Sequence, residues 1–140
     1  MFEIHRFLFQ DIYDWAGKVR TVEISKGGRP FFPTIRFQTA FCHIDDLVKA
    51  YQRIEGEDKS SLARKLAELL DAVNYLHPFR EGNGRTQREF LRLMAFKKGW
   101  RLNLNPPDNI DVYKRYMSGT IDGDVQILST LIFDLLMPLR

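Results

Sequence analysis

The chain has 140 residues, of which 44% are hydrophobic, 13% aromatic and 28% charged; that fits one compact domain with a real core and excludes a disordered chain or two full domains. Twenty-one Lys and Arg against 18 Asp and Glu leave a net charge of +3, too small to mark a nucleic-acid binder. A lone Cys42 excludes an internal disulfide, and three histidines, His5, His43 and His77, form no zinc-ligand cluster.

At the N-terminus, Glu3, Arg6 and Asp11 interrupt any apolar run, so no signal peptide is expected. A first helix is predicted from the stripe Ile4, Phe7, Leu8, Ile12 and Trp15, with Gly17 where it would stop. Between Val19 and Phe37 the pattern changes. Val19 to Ile24 alternates loosely, Gly27-Gly28 turns the chain, and two prolines interrupt β-formers from Arg29 to Phe37. That predicts a short hairpin on the rim. Thr39 is the expected cap of a second helix with the face Phe41, Ile44, Leu47, Val48, Tyr51 and Ile54. Ser60 or Ser61 is the expected cap of a third, which carries the strongest core stripe: Leu62, Leu66, Leu69, Leu70, Val73 and Leu76. A fourth helix is expected from about Gly84 to Lys98. After Pro106-Pro107, residues 108–117 and 121–136 read as two more, the last with Ile121, Val125, Leu128, Leu131, Ile132 and Leu135 on one face. The longest apolar tract, Ile127 to Leu139, is broken by Ser129, Thr130 and Asp134 and falls short of the roughly 20 residues a membrane span needs. A cytoplasmic protein with no membrane partner is the expectation.

The charge is uneven. From His77 to Arg101 there are seven basic and two acidic residues, a net of +5, and the other 115 residues sum to −2. This stretch opens with His77-Pro78-Phe79-Arg80-Glu81-Gly82-Asn83-Gly84-Arg85-Thr86-Gln87-Arg88. Pro78 forbids helical geometry at His77 and leaves the imidazole at a helix–loop junction. Gly82 and Gly84 permit positive φ and close backbone approach, so successive N–H groups can converge on an anion. Arg85, Arg88 and Arg92 lie at i, i+3 and i+7, along one face of the following helix, whose first N–H groups are free. A carboxylate at Glu81 beside that array suits Mg²⁺ bound together with phosphate oxygens, and a histidine at its edge suits a general base acting on a hydroxyl. Singly, each feature has a plainer reading: a solvated His, a turn at Gly-Asn-Gly, a solvated Arg face, a Glu paired with an Arg. None of these explains all the parts within twelve residues.

The segment resembles the signature of the Fic family of AMP-transferring enzymes, H-x-F-x-[D/E]-G-N-G-R-x-x-R, matched at every specified position by His77, Phe79, Glu81, Gly82, Asn83, Gly84, Arg85 and Arg88. Ile4-His5-Arg6-x-Leu8-Phe9, Trp15-Ala16-Gly17-Lys18-x-Arg20 and Lys26-Gly27-Gly28 resemble the family's upstream elements, so the likeness covers nearly all of residues 1–140. It implies a mainly helical Fic fold of about six helices with a β-hairpin flap over the site. It implies a protein adenylyltransferase that moves AMP from ATP to a Ser, Thr or Tyr hydroxyl and releases pyrophosphate. In that reading His77 deprotonates the hydroxyl and Glu81 binds Mg²⁺. Gly82, Asn83 (backbone and side chain) and Gly84 hold the α- and β-phosphates. Arg85 contacts the β-phosphate, Arg88 the γ-phosphate, and Phe79 pins the loop from the core. Asn74 and Lys26 lie near the nucleotide, and Tyr113 is the candidate for an adenine pocket between Asn109 and Tyr116. The flap, Arg29 to Phe37 with Phe31, Phe32, Thr34, Ile35 and Arg36, docks the target by β-augmentation.

Many relatives carry an inhibitory helix with the pattern [S/T]-x-x-x-E-[G/N]; Thr130 to Asp134 comes nearest and departs from it. The chain is therefore expected not to inhibit itself. The inhibitory helix would come from a separate antitoxin or from N-terminal residues of a longer protein. The resemblance offers type II topoisomerase subunits or host GTPases as targets, the latter for a relative secreted into a host cell. Alternatives are transfer of UMP, phosphocholine or phosphate on the same fold, and a non-catalytic nucleotide-binding module. Gly82 and Gly84 favour AMP over phosphate.

Overall fold

The computed structural model describes all 140 residues. Helix α1 runs over Phe2–Phe9, strands β1 and β2 over Ser25–Lys26 and Arg29–Pro30, and a 3₁₀ turn over Thr34–Arg36. Helices α2 (Phe37–Gln52), α3 (Lys59–Leu76) and α4 (Asn83–Lys97) follow; then come β3 (Trp100–Arg101), α5 (Ile110–Asp122), α6 (Val125–Leu135) and β4 (Met137–Pro138). The mainly helical, six-helix reading holds.

Helix α3 is the axis. Its stripe from Leu62 to Leu76 is wholly buried, with Ala63 and Ala67 letting neighbouring helices approach. Helices α2, α4 and α6 pack around it, and α5 packs on α6. From α2, Ile44 and Tyr51 reach the core while Phe41, Leu47, Val48 and Ile54 lean on it half-buried. Leu128, Leu131 and Ile132 of α6 close the other side. The signature loop, residues 77–82, therefore hangs between two helices fixed along their length. Its geometry is set by the core.

Several boundaries depart from expectation. Helix α1 ends at Phe9, whose carbonyl accepts from the N–H groups of both Ile12 and Tyr13 as the chain turns. Its buried residues are His5 and Phe9, while Phe7 and Ile12, expected inside, face solvent. Helix α2 continues out of the 3₁₀ turn, so Thr39 lies inside it and caps nothing. Helix α3 is capped by Asp58, whose Oδ1 accepts from the Ser61 N–H at 3.0 Å. Ile121 belongs to the end of α5, not to the α6 face, and is exposed. A second antiparallel hairpin, pairing Trp100 with Pro138 and Arg101 with Met137, ties the end of α4 to the end of the chain. Strands of two residues leave no periodic signal.

Candidate active site

Helix α3 stops at His77, which adopts φ 45°, ψ 63° and is the only non-glycine residue with positive φ. Helix ends leave carbonyls without intrahelical partners, and here each is met. The Asn74 carbonyl accepts from His77 Nδ1 at 2.9 Å. The Tyr75 carbonyl accepts from the Phe32 N–H at 3.0 Å, and the Leu76 and His77 carbonyls accept from the Arg20 guanidinium at 3.2 and 2.7 Å. The Pro78 carbonyl accepts from the Arg20 N–H at 2.8 Å.

A carbonyl can only accept, so Nδ1 of His77 carries the hydrogen and Nε2 keeps its lone pair. Burial pushes the His77 pKa below its ordinary value. The Asn74 carbonyl opposes that shift, the Arg20 and Lys26 cations reinforce it, and Glu81 offsets it weakly. The ring is thus neutral at pH 7 and presents a free basic nitrogen. The ring of Phe31 stacks on it, with centroids 3.7 Å apart and planes 10° from parallel.

The loop is closed by Asn83. Its Oδ1 accepts from the Phe79 N–H at 3.0 Å, and its Nδ2 donates to the Phe79 carbonyl at 2.7 Å. The side chain expected on phosphate thus closes the loop with its Oδ1 and one Nδ2 hydrogen, which leaves the second Nδ2 hydrogen beside the Asn83 backbone N–H. Phe79 is buried and stacks on His5 at 3.8 Å. Gly82, at φ +81°, begins α4; a Cβ there would stand 2.4 Å from Phe9 Cε2. Gly84 is helical, so its lack of a side chain serves space instead: a Cβ would meet Arg88 Nη1 at 3.2 Å. Arg88 lies half-buried over the Tyr116 ring, and Arg85 is exposed with its guanidinium 4.6 Å from the Phe9 centroid. Glu81 is exposed; its carboxylate accepts from the Gly82 N–H at 3.0 Å and lies 3.9 Å from Arg85 Nη2.

A cavity of about 780 Å³ begins at His77 and runs between the flap and α5. Lys26, Gly84 and Arg88 line it together with Tyr116, Thr120, Ile121 and Gly123. Asn74 also lines it, with Nδ2 donating to the Thr120 carbonyl at 3.1 Å. Tyr113 does not belong here. It is exposed and is absent from the lining, whereas Tyr116, three residues on, faces the cavity. Arg29 Nη1 donates to the Ile121 carbonyl at 3.2 Å, so the flap bridges to α5.

Of the flap residues, Phe31 lies on His77, Phe32 packs against the core, and Thr34, Ile35 and Arg36 are wound into the 3₁₀ turn. The strand itself is only Arg29–Pro30, a correction to the expected Arg29 to Phe37. Arg20 and His5 had no role of their own in the sequence reading; they belong to matched upstream elements, which was the available signal. Arg29 was read as the start of the flap, and its bond to α5 had no signal.

The sequence model of the Fic/DOC family matches residues 1–95. The chain is similar to the "Protein adenylyltransferase VbhT" of Bartonella schoenbuchensis, 31% identical over 132 residues, which cover 94% of this chain and 27% of that protein. It is 38% identical over 102 residues to the "Probable protein adenylyltransferase Fic" of Escherichia coli, covering 71% and 50%. The chain thus spans half or less of the length of these two relatives. Among solved structures, the BepC protein of Bartonella tribocorum with bound AMPPNP superposes with a TM-score of 0.81 at 21% identity, over 99% of this chain and 73% of that one.

Proposed function

Because this chain belongs to the Fic/DOC family, we propose that it transfers AMP from ATP to a hydroxyl of a target protein. The observation that carries the proposal is the run of His77, Gly84, Arg88 and Tyr116 along one cavity of nucleotide size. Relatives named protein adenylyltransferases and a neighbour holding an ATP analogue support it. The target oxygen attacks the α-phosphorus, its proton passes to His77 Nε2, and the bond from that phosphorus to the bridging oxygen breaks to free pyrophosphate. Arg88, over Tyr116, meets the terminal phosphates, and the first N–H groups of α4 meet charge nearer the reacting phosphorus. The adenine takes the part of the cavity walled by Thr120, Ile121 and Gly123.

Mg²⁺ fits the donor set on one condition. No group of three or more His, Cys, Asp or Glu gathers to form a protein cage, and Glu81, the carboxylate of the signature loop, stands next to Gly82 and outside the cavity lining, so phosphate oxygens must complete the coordination. When bound, the ion neutralises phosphate charge; Glu81 would hold it after turning from Arg85. The target enters along the flap strand β2, Arg29–Pro30, and a separate antitoxin is the proposed inhibitor. No helix is long and apolar enough to cross a membrane.

The test incubates the chain with ATP labelled at the α- or γ-phosphate, Mg²⁺ and a bacterial lysate, beside His77→Ala. A protein band labelled from the α-position alone and lost in the variant is expected. Label from the γ-position alone would make the enzyme a kinase, and nucleotide binding without any transfer across several lysates would reduce it to a binding module.

A further inference from the structure

Arg20 is buried, with 2% of its surface exposed, and no carboxylate lies within hydrogen-bond range of it; Glu23 stands 3.9 Å away and is itself exposed. Its guanidinium donates instead to four carbonyls: Leu76 and His77 at the end of α3, Phe32 at the flap's root (2.7 Å), and Val22 before the hairpin (2.9 Å). Its own N–H donates to Pro78. A buried cation is tolerated only while its donors are satisfied. Lifting the flap root or straightening His77 would strip it of partners. The Phe32 N–H on the Tyr75 carbonyl and the Phe31 ring on the His77 ring continue the same seam.

We propose that Arg20 is a positioning residue that locks the flap root to His77, holding the base in its left-handed backbone conformation and seating the Phe31 ring against it. One guanidinium thereby sets both the direction in which Nε2 points and the register in which a target strand would arrive. The plainer alternative is that Arg20 only glues the core; it predicts uniform loss. The proposal rests on the transfer reading for its activity arm alone.

The test compares the full chain with Arg20→Lys, which keeps the buried charge and cannot span four carbonyls, and Arg20→Met. The His77 ring resonances of the wild type carry the upfield shift of a stacked Phe31 ring and the signature of hydrogen on Nδ1. In Arg20→Lys both should collapse, while ATP affinity falls far less than transfer does. Transfer, where the wild type shows it, should fall about 100-fold, the scale of a misplacement near 1 Å. Unchanged His77 resonances in a folded Arg20→Lys would overturn the proposal, and so would ATP affinity falling in step with transfer. A wild type that binds ATP and transfers nothing would overturn the transfer reading, while the His77 resonances still decide the role of Arg20. Should Arg20→Met not fold, Arg20→Lys decides alone.

Discussion

The imidazole of His5 joins α1 to the signature loop: its Nε2–H donates to the Glu81 carbonyl at 2.9 Å, 76 positions along the chain. The other nitrogen settles the tautomer. Nδ1 accepts from the Gly17 N–H at 2.8 Å, so it cannot carry a proton without losing that bond.

Stability should therefore fall as pH drops through about 6.5. Burial lowers the pKa of His5 below its ordinary value, against the weaker pull of the Glu81 carbonyl, and His77 is lowered chiefly by burial as well. The unfolded chain takes up these protons first. Stability is whole above the unfolded value, declines below it, and levels off once pH passes the folded values. Thermal melts from pH 7.5 to 5 check this. A flat melting temperature through that window would mean that neither ring is held neutral.

The same lowering predicts the acid limb of transfer. A base that must be unprotonated keeps working down to its folded pKa, so kcat/KM should hold its plateau below pH 6.5. A limb at or above 6.5 would be the contrary result.

The two glycines should separate. Gly82→Ala places a side chain at φ +81° and against Phe9, and should lower stability by about 1–3 kcal/mol from strain alone. Gly84→Ala displaces only the end of a flexible arginine, so the melting temperature should hardly move while ATP affinity falls. Denaturant titration and calorimetric binding of both variants read the difference. Equal destabilisation by the two would contradict the assigned roles.

Tyr116 and Tyr113 make a matched pair one helical turn apart. Tyr116→Ala removes cavity wall and the ring beneath Arg88, and should weaken ATP by about tenfold, or 1.4 kcal/mol. Tyr113→Ala, on an exposed face, should leave affinity unchanged. A loss at Tyr113 equal to that at Tyr116 would return the adenine to the earlier assignment.

What was legible in the chain was whatever is local. The stripe of α3 and the twelve residues from His77 to Arg88 are contiguous, and their chemistry follows from residue types at fixed spacing. Arg20, His5 and Tyr116 act through partners brought near by folding, as with Arg20 and His77, 57 positions apart. No short window carries such a pairing. Asn83 shows the complementary case. A polar side chain inside an anion-binding loop invites assignment to the anion, and its bonds to both the donor and the acceptor of the Phe79 backbone carry no sequence signal. The α1 stripe failed for a simpler reason. His5, polar by type, was the buried residue, because its two nitrogens had backbone partners waiting.

The positions of His77 and Gly82 have an electrical consequence. His77 ends α3 and Gly82 begins α4, so the loop between them sets the negative pole of one helix beside the positive pole of the next. The proposed transfer would shift negative charge toward the departing phosphates, which the positive pole of α4 favours by about 0.3–1 kcal/mol in exposed settings. The negative pole of α3 is already answered by the Arg20 guanidinium on the Leu76 and His77 carbonyls. The backbone at the start of α4 is polarised for that charge before any substrate is present.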